Sequence, residues 1–560
     1  MRDETSLVTY YDVGYKNAKM TKEPLVGFLA GVDFDKILAL PEAKKIIRSL
    51  PPQVIYFSLK RQGINECIDV LKHLSNAQFT RILDYDVWRD AQLDQVKALQ
   101  WVTLMANHGT ERLYKSFSAL EEEYQISILQ GLVRIYTQSE MEEMPPEKQD
   151  QLFAMPGNEV FYEILSDDVA IVEPIQMLLE SAFAHDMRYA TALLNFPFYM
   201  PPHESQELLK QFRSARLEED GFVDEVESQK IFWEYDRKPL VEKYKSLVVD
   251  RSSADLQTWD ENEDRIFTEK VLTYLRRQQV DIDEQFRIHQ NLLTLANGLC
   301  SASKIEPDDI DGLRIILHQM KHLVGLGLEV LSFGQIEKAA QIIQFEHPKT
   351  LFKVGLSVID DLRNEILQTL AASGLGFAER CQKLHKLRKW GMILAEFDQH
   401  GRDILGFETT EALKALFNRY PLKTTASADD QLTFEPIGSR RTLVELVGQI
   451  GAVGRVVSLA AEFSGGTLQG SLEKSINTMI VRHLVTGELG TAPLGAGDFA
   501  AYSELTPADR ETRLSALREA LSSKVELGIA SDEVWKIFLD HYHGISLTKG
   551  SIQHLCFSKE

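Results

Sequence analysis

His318 and His322 stand four residues apart, a spacing that puts two imidazoles one turn apart on the same face of a helix. Asp311 and Glu329 fall near the same angular sector. Nitrogen and carboxylate donors arranged in this way are the types a transition metal takes. Gln319 follows the first histidine where a metalloprotease motif needs glutamate, so that chemistry is excluded. A solvated helix face is the plainer reading, and Gly325 and Gly327 are placed to end the helix before Glu329.

A second constellation is Arg213 and Arg216, followed by Glu218 and Glu219. An arginine pair at this spacing clamps a carboxylate or a phosphate, or pairs with the chain's own acids on a surface helix. Trp88 sits among Asp84, Asp86 and Asp90. Those alternating carboxylates suggest a calcium loop, but Trp88 takes its fifth position, Arg89 replaces the sixth-position glycine and Gln95 the twelfth-position glutamate. The calcium loop is therefore excluded. The aspartates read instead as punctuation of a turn between helices, with Trp88 as its anchor. Arg213, Arg216 and Trp88 are the candidates for contact with a ligand or a partner.

The remaining reactive residues carry less. His541, His543, His554 and Cys556 have donor types for zinc at a spacing no zinc motif uses. Gly448, Gly451 and Gly454 lie in an apolar run with no strand before them, which reads as close helix packing and not as a dinucleotide fingerprint. Cys67 lies on an apolar stripe and reads as an inert core thiol. His385, Asp398 and His400 share a region, but no serine or cysteine completes a triad. Phosphate-loop and nucleophile-elbow motifs are missing. No cofactor is expected, and catalysis is the less favoured reading.

Apolar residues at helical spacing must position these groups. Ile64, Cys67, Ile68, Leu71 and Leu74 form one stripe; Leu313, Ile316, Leu317, Met320 and Val324 form another. Ile126–Tyr136 carries two stripes, as an inner helix covered on both sides would. Ser75 with Gln78 and Ser118 with Glu121 spell capping boxes, with Leu74 and Phe79 as a hydrophobic staple beside the first. Thr506-Pro507 marks a helix start. Leu50-Pro51-Pro52, Met144-Pro145-Pro146 and Met200-Pro201-Pro202 each precede a helical run, so one proline stops a helix and the next opens another. Ser6–Val13 is the one early stretch that reads as a strand. The fold class expected is all-α: an α-solenoid-like array of short helical hairpins with further helical domains, about 60% helix against a base rate of about one third.

Polar stretches at Asp250–Asp264 and Leu422–Arg441 suggest boundaries, and Gly487–Gly497 a loop. The expected division is residues 1–249 as an N-terminal helical array, 262–421 as a central helical domain and 442–560 as a C-terminal one. Across all 560 residues, 61 Lys plus Arg face 83 Asp plus Glu, for a net charge of −22. Nucleic acid and anionic lipid both need a basic footprint, so neither is the expected partner. Cys67, Cys300, Cys381 and Cys556 are scattered with no C-x-x-C pair, which fits a reducing cytoplasm. The first residues show no apolar signal region, and no run approaches the ~18 apolar residues of a spanning helix.

Leu83-Asp84-Tyr85-Asp86-Val87-Trp88, Arg213-Ser214-Ala215-Arg216-Leu217 with Gly221-Phe222 and Glu227, Gly325-Leu326-Gly327-Leu328-Glu329 and Leu351-Phe352-Lys353-Val354-Gly355 together resemble an uncharacterised bacterial all-helical family, a domain of unknown function. That resemblance covers most of the chain and implies no activity. Leu40–Leu83, with its Leu-Pro helix start and short leucine helices, is similar to the N-terminal helical superhelix of MgtE-type magnesium transporters. The membrane helices of those transporters have no counterpart here. The expected role is a protein-interaction scaffold with a protein partner. The alternative is a metal- or phospho-ligand-binding sensor or enzyme using His318 and His322 or Arg213 and Arg216.

Overall fold

A computed structural model describes residues 32–89, 92–154, 160–247, 266–372, 375–405, 407–426, 432–446, 472–488, 490 and 492–522. Helix accounts for 72% and strand for 5% of the structure. Ser6–Val13, Asp90, Asp250–Asp264, Gly448, Gly451, Gly454, His541, His543, His554 and Cys556 lie outside the described residues. The chain forms two compact units, each drawn from two stretches: Met1–Ile231 with Leu275–Leu317, and Phe232–Tyr274 with His318–Glu560. The sequence had suggested three consecutive segments.

In the first unit the proline pairs set helix starts. Pro51, Pro145 and Pro201 occupy N-caps at φ −59°, −58° and −60° with ψ near 140°. Pro52, Pro146 and Pro202 then open helices Pro52–Gln62, Pro146–Gln149 and Pro202–Glu219. The first helical N–H has no intrahelical acceptor, so its loss at proline costs nothing there. Ser75 and Gln78 make the expected capping box on helix Asn76–Asp86. The Gln78 amide also donates to the carbonyls of Ile47 and Leu50, both at 2.9 Å, tying this helix start to the end of Ala43–Ser49.

Three local expectations fail. Ser118 caps the end of helix Thr110–Phe117, and Glu121, not Ser118, precedes helix Glu122–Leu129. Ile64–Leu74 is a run of turns around the four-residue helix Ile68–Leu71, because Gly63 at φ 94° breaks the rod before the stripe begins. Ile126–Tyr136 is not one inner helix. The helix stops at Leu129, Gly131 adopts φ 76°, and Val133–Thr137 continues as a strand. Val133 and Ile135 alternate there with Arg134 and Tyr136, a period of two that the helical reading absorbed.

Among the described residues the strands are β1 (Trp88–Arg89), β2 (Gln92–Leu93), β3 (Val133–Thr137), β4 (Phe153–Ala154), β5 (Val160–Ile164), β6 (Leu422–Ala426) and β7 (Leu432–Pro436). All the pairings are antiparallel. The first unit carries the β1–β2 hairpin and a sheet of order β3-β5-β4, with Val133 opposite Ile164 and Tyr162 opposite both Ile135 and Phe153. Gly221, at φ +99°, lets the end of Pro202–Glu219 reach helix Ile282–Ala302: a Cβ there would lie 2.6 Å from the Thr294 carbonyl oxygen. Asn297 of that long helix donates to Gln53 and to the Asp220 carbonyl.

In the second unit, the polar stretch after Leu422 is the β6–β7 hairpin. The Leu313–Val324 stripe, whose residues up to Leu317 belong to the first unit, is buried as expected. Helix Ile310–Ser332 does not end at Gly325 or Gly327. Those glycines serve close packing instead. A Cβ on Gly327 would sit 2.0 Å from the Leu351 carbonyl oxygen, and one on Gly355 2.1 Å from that of Leu323. Helices Ile310–Ser332 and Pro348–Ala372 thus touch backbone to backbone. Gly327→Ala or Gly355→Ala forces them apart and is expected to destabilise by about 3 kcal/mol, the upper end of overpacking costs. Gly391→Ala, with nothing within 4 Å of its Cβ, is expected to be tolerated. Urea unfolding of the three variants checks this. Helices range from 4 to 25 residues and are interrupted by the small sheets, without a fixed repeat length.

Candidate functional site

Asp84 and Asp86 end helix Asn76–Asp86, as helical residues and not as the turn expected from their spacing. Asp84 is fully buried. Helix Pro202–Glu219 presents Arg213 and Arg216 three residues apart on one face. Arg216 grips Asp84 with two parallel bonds, Nε to Oδ2 at 2.6 Å and Nη2 to Oδ1 at 2.8 Å. Its Nη1 donates to Glu121 at 2.6 Å, just ahead of helix Glu122–Leu129. Tyr124 of that helix donates to Asp84 Oδ1 at 3.2 Å, and Trp88 Nε1 donates to the Tyr124 hydroxyl at 3.1 Å. Arg213 Nε donates to the Asp84 carbonyl at 2.9 Å, satisfying a last-turn acceptor. Its guanidinium lies 4.6 Å from the Trp88 ring centroid, within cation–π range.

The three residues singled out in the sequence, Trp88, Arg213 and Arg216, therefore meet around one aspartate. Burial pushes the Asp84 carboxyl up, and contact with Arg216 opposes that shift. The geometry is that of an internal brace joining three helices. Arg216 spends its Nε and both terminal nitrogens on the chain's own carboxylates.

Asp86 extends the network. Tyr56 and Trp101 donate to its two oxygens at 2.8 and 2.9 Å, and Lys60 Nζ lies 2.8 Å away. Burial works to raise this carboxyl, but the bonds from Lys60, Trp101 and Tyr56 outweigh it and hold it below the usual carboxylate range. On the other side Tyr85 donates to Asp220 at 2.7 Å, and Arg81 pairs with Asp220 at 3.3 Å. Sequence reading missed Tyr124, Tyr56 and Trp101. Nothing in their spacing signals that aromatic donors converge on two aspartates.

His318 and His322 do share a helix face, with ring centroids 4.7 Å apart. His318 is exposed, while His322 is half-buried against Gly438. Asp311 holds Arg314 at 3.0 Å, and Glu329 accepts from the Arg440 backbone N–H at 2.9 Å. Neither joins the histidines. Among the described residues no group of three or more His, Cys, Asp or Glu side chains is gathered to hold a metal. Cys67 is buried, and burial pushes its thiol up, as an inert core cysteine requires.

Burial, and then the charge of His318, push His322 down to about 4, with Glu269 and Lys321 the other charges facing it. The unfolded ring titrates near 6.5. The unfolded chain thus takes up a proton that the folded chain refuses between those values. Stability is full above pH 6.5 and falls as pH drops toward 4. After discounting for a ring in partial contact with water, the loss is about 1–2 kcal/mol. Urea unfolding at pH 7 and pH 5 is expected to show it in the parent chain and less of it in His322→Gln.

The second unit holds a buried ionic cluster that sequence reading missed. Arg363 is fully buried; it donates to Asp360 at 3.0 Å and twice to the Leu416 carbonyl, at 2.9 and 2.8 Å. Its guanidinium lies 4.5 Å from the Trp390 ring centroid. Arg388 reaches the other Asp360 oxygen at 2.5 Å, and His385 lies 3.5 Å away. His385 is thus placed beside a carboxylate, while His400 faces Glu396 at 3.8 Å and Asp398 pairs with Lys414. The i,i+3 spacing of Asp360 and Arg363 was the available signal.

No helix of the described residues is long and apolar enough to cross a membrane. No curated protein and no solved structure matches the chain, so the likeness of Leu40–Leu83 to the magnesium-transporter superhelix gains no support. One family model covers nearly all of it, including every residue of both ionic clusters: over residues 25–541 the chain belongs to the family of unknown function DUF6178.

Proposed function

We propose that the chain is a cytoplasmic protein-interaction scaffold. The observation that carries this is the closed state of the arginine clamp: Asp84 and Glu121 take the donors that a phosphate or carboxylate ligand would need. The strongest polar chemistry of the first unit goes into bracing helices. Large apolar side chains stand on the surface of the same unit, including Val169 at 62% and Val226 at 71% exposure. In the second unit Phe345 is exposed to 79%. Scattered exposed apolar residues are ordinary, but contiguous ones mark contact surfaces. The net charge of −22 favours a protein partner over nucleic acid.

A photo-crosslinking residue placed singly at Val169, Val226, Phe345 and Leu387 of the full chain in its native cells tests this. Discrete adducts of defined mass at a subset of positions are expected. No discrete adduct at any position would remove the scaffold reading. The competing reading rests on the paired rings of His318 and His322 as ligands of zinc, nickel or copper. Stoichiometric metal in untagged full-length protein, lost in His322→Ala, would put that reading in its place.

A further inference from the structure

The helix Val169–His185 turns one row of side chains away from its neighbours. Val169, Glu173, Met177 and Glu180 recur at i, i+4, i+8 and i+11, and all four are exposed. Leu165, just before the helix, is exposed to 37%. The sheet edge carries a further exposed ring. Phe153 of β4 is 36% exposed and stacks on Tyr162 of β5, with centroids 5.3 Å apart and planes at 22°. Glu180 lies close enough to Tyr162 that its charge, after burial, helps push that phenol up to about 12. Val169, Met177 and Phe153 are thus exposed apolar side chains, with Glu173 and Glu180 between and beside those of the helix, while Tyr162 beneath Phe153 is buried.

Charge says what covers this face. Between residues 138 and 180 the sequence holds eleven carboxylates against one base, Lys148. That stretch supplies nearly half of the chain's net −22. Among the described residues, none of those carboxylates sits in an ion pair. Elsewhere among the described residues about half of the carboxylates are paired internally, as with Glu396 to Arg380 and Glu411 to Arg402. A second copy of the chain is a poor occupant, because a two-fold contact sets a patch against itself and like charges would meet. An anionic membrane is repelled for the same reason.

We infer that the exposed Val169–Met177 face of this helix, together with Phe153 of the sheet edge, is the docking surface for a basic amphipathic segment of a partner protein, a helix with lysines and arginines flanking an apolar face. This rests on the scaffold reading and names the chemistry of its partner. The apolar face of the incoming helix covers Val169, Met177 and Phe153. Its flanking cations meet Glu173, Glu180 and the acidic residues of helices Gln138–Glu142 and Pro146–Gln149. Such a contact forms by helix-in-groove recognition, with steering that weakens as salt rises.

The test is fluorescence anisotropy on the full chain with three labelled 18-residue probes. One has leucines and lysines in amphipathic order; one has serines in place of the leucines; one has glutamates in place of the lysines. The leucine–lysine probe is expected to bind at least tenfold tighter than either control, and to weaken at least tenfold between 50 and 300 mM salt. Val169→Asp with Met177→Ser should lower its affinity at least tenfold. Glu173→Lys with Glu180→Lys should do the same and flatten the salt dependence. Phe345→Ser should leave it unchanged, and circular dichroism should match the parent in each. Equal binding by the serine–lysine probe, or unchanged affinity in the Val169→Asp, Met177→Ser chain, overturns the inference. Failure here is separable from failure of the scaffold reading: adducts at Val226 or Phe345 without any at Val169 would keep the scaffold and discard this surface.

Discussion

Arg216→Met is expected to destabilise the chain by about 3–5 kcal/mol, because it strands the fully buried Asp84 carboxylate without its cation. Asp84→Leu alone should cost a similar amount, since it leaves a guanidinium 15% exposed and short of its main acceptor. The double variant Asp84→Leu, Arg216→Met is expected to recover most of that loss. A buried ion pair exchanged whole for apolar side chains of similar size is often neutral, so the coupling across the cycle should be large and of restoring sign. Urea unfolding followed by far-ultraviolet circular dichroism measures all three. A ligand-binding clamp would behave differently: Arg216→Met would leave stability nearly intact and abolish binding.

The second large effect falls on Asp360. Asp360→Ala leaves Arg363, with no solvent exposure, and Arg388 facing each other without their shared anion, a loss of about 3–5 kcal/mol at pH 7. This effect carries its own pH signature. Burial alone would raise the Asp360 carboxyl, but His385, Arg363 and Arg388 outweigh it and hold the group far below its ordinary value of 3.8. A carboxyl depressed in the folded state stabilises fully above its unfolded value and loses that contribution as pH falls toward the folded one. The gap between parent and variant should therefore stay constant from pH 7 to about pH 4.5. It should then shrink by about 1.4 kcal/mol for each further pH unit. A gap independent of pH down to pH 2.5 would show that Asp360 is not the anion of the cluster.

Local chemistry was readable from the chain. A proline pair reports its own helix start because φ is fixed by the ring and no N–H is needed at the first position. Ser75 and Gln78 report theirs because both halves of the box lie three residues apart. Ile126–Tyr136 misled because a short apolar run satisfies a period of 3.6 and a period of two at once. The missed cue was Gly131, whose positive φ turns the chain out of the helix. Residue types at the brace were also readable, since Trp88, Arg213 and Arg216 stood out individually. What no local pattern carried was that their counter-ion is Asp84, over 120 positions earlier and buried against Tyr124. The Asp360 cluster hid in the same way, since Leu416 and Trp390 contribute a carbonyl and a ring face, which no motif encodes.

The two compact units are each assembled from separated stretches of chain, Met1–Ile231 with Leu275–Leu317 and Phe232–Tyr274 with His318–Glu560. During synthesis, then, the earlier unit cannot close until residue 317 has left the ribosome, and by that time the opening stretch of the later unit is already out and waiting for its mate. Any single cut that keeps one unit whole splits the other, so truncated forms carry at least one half-built core that invites chaperones and proteases.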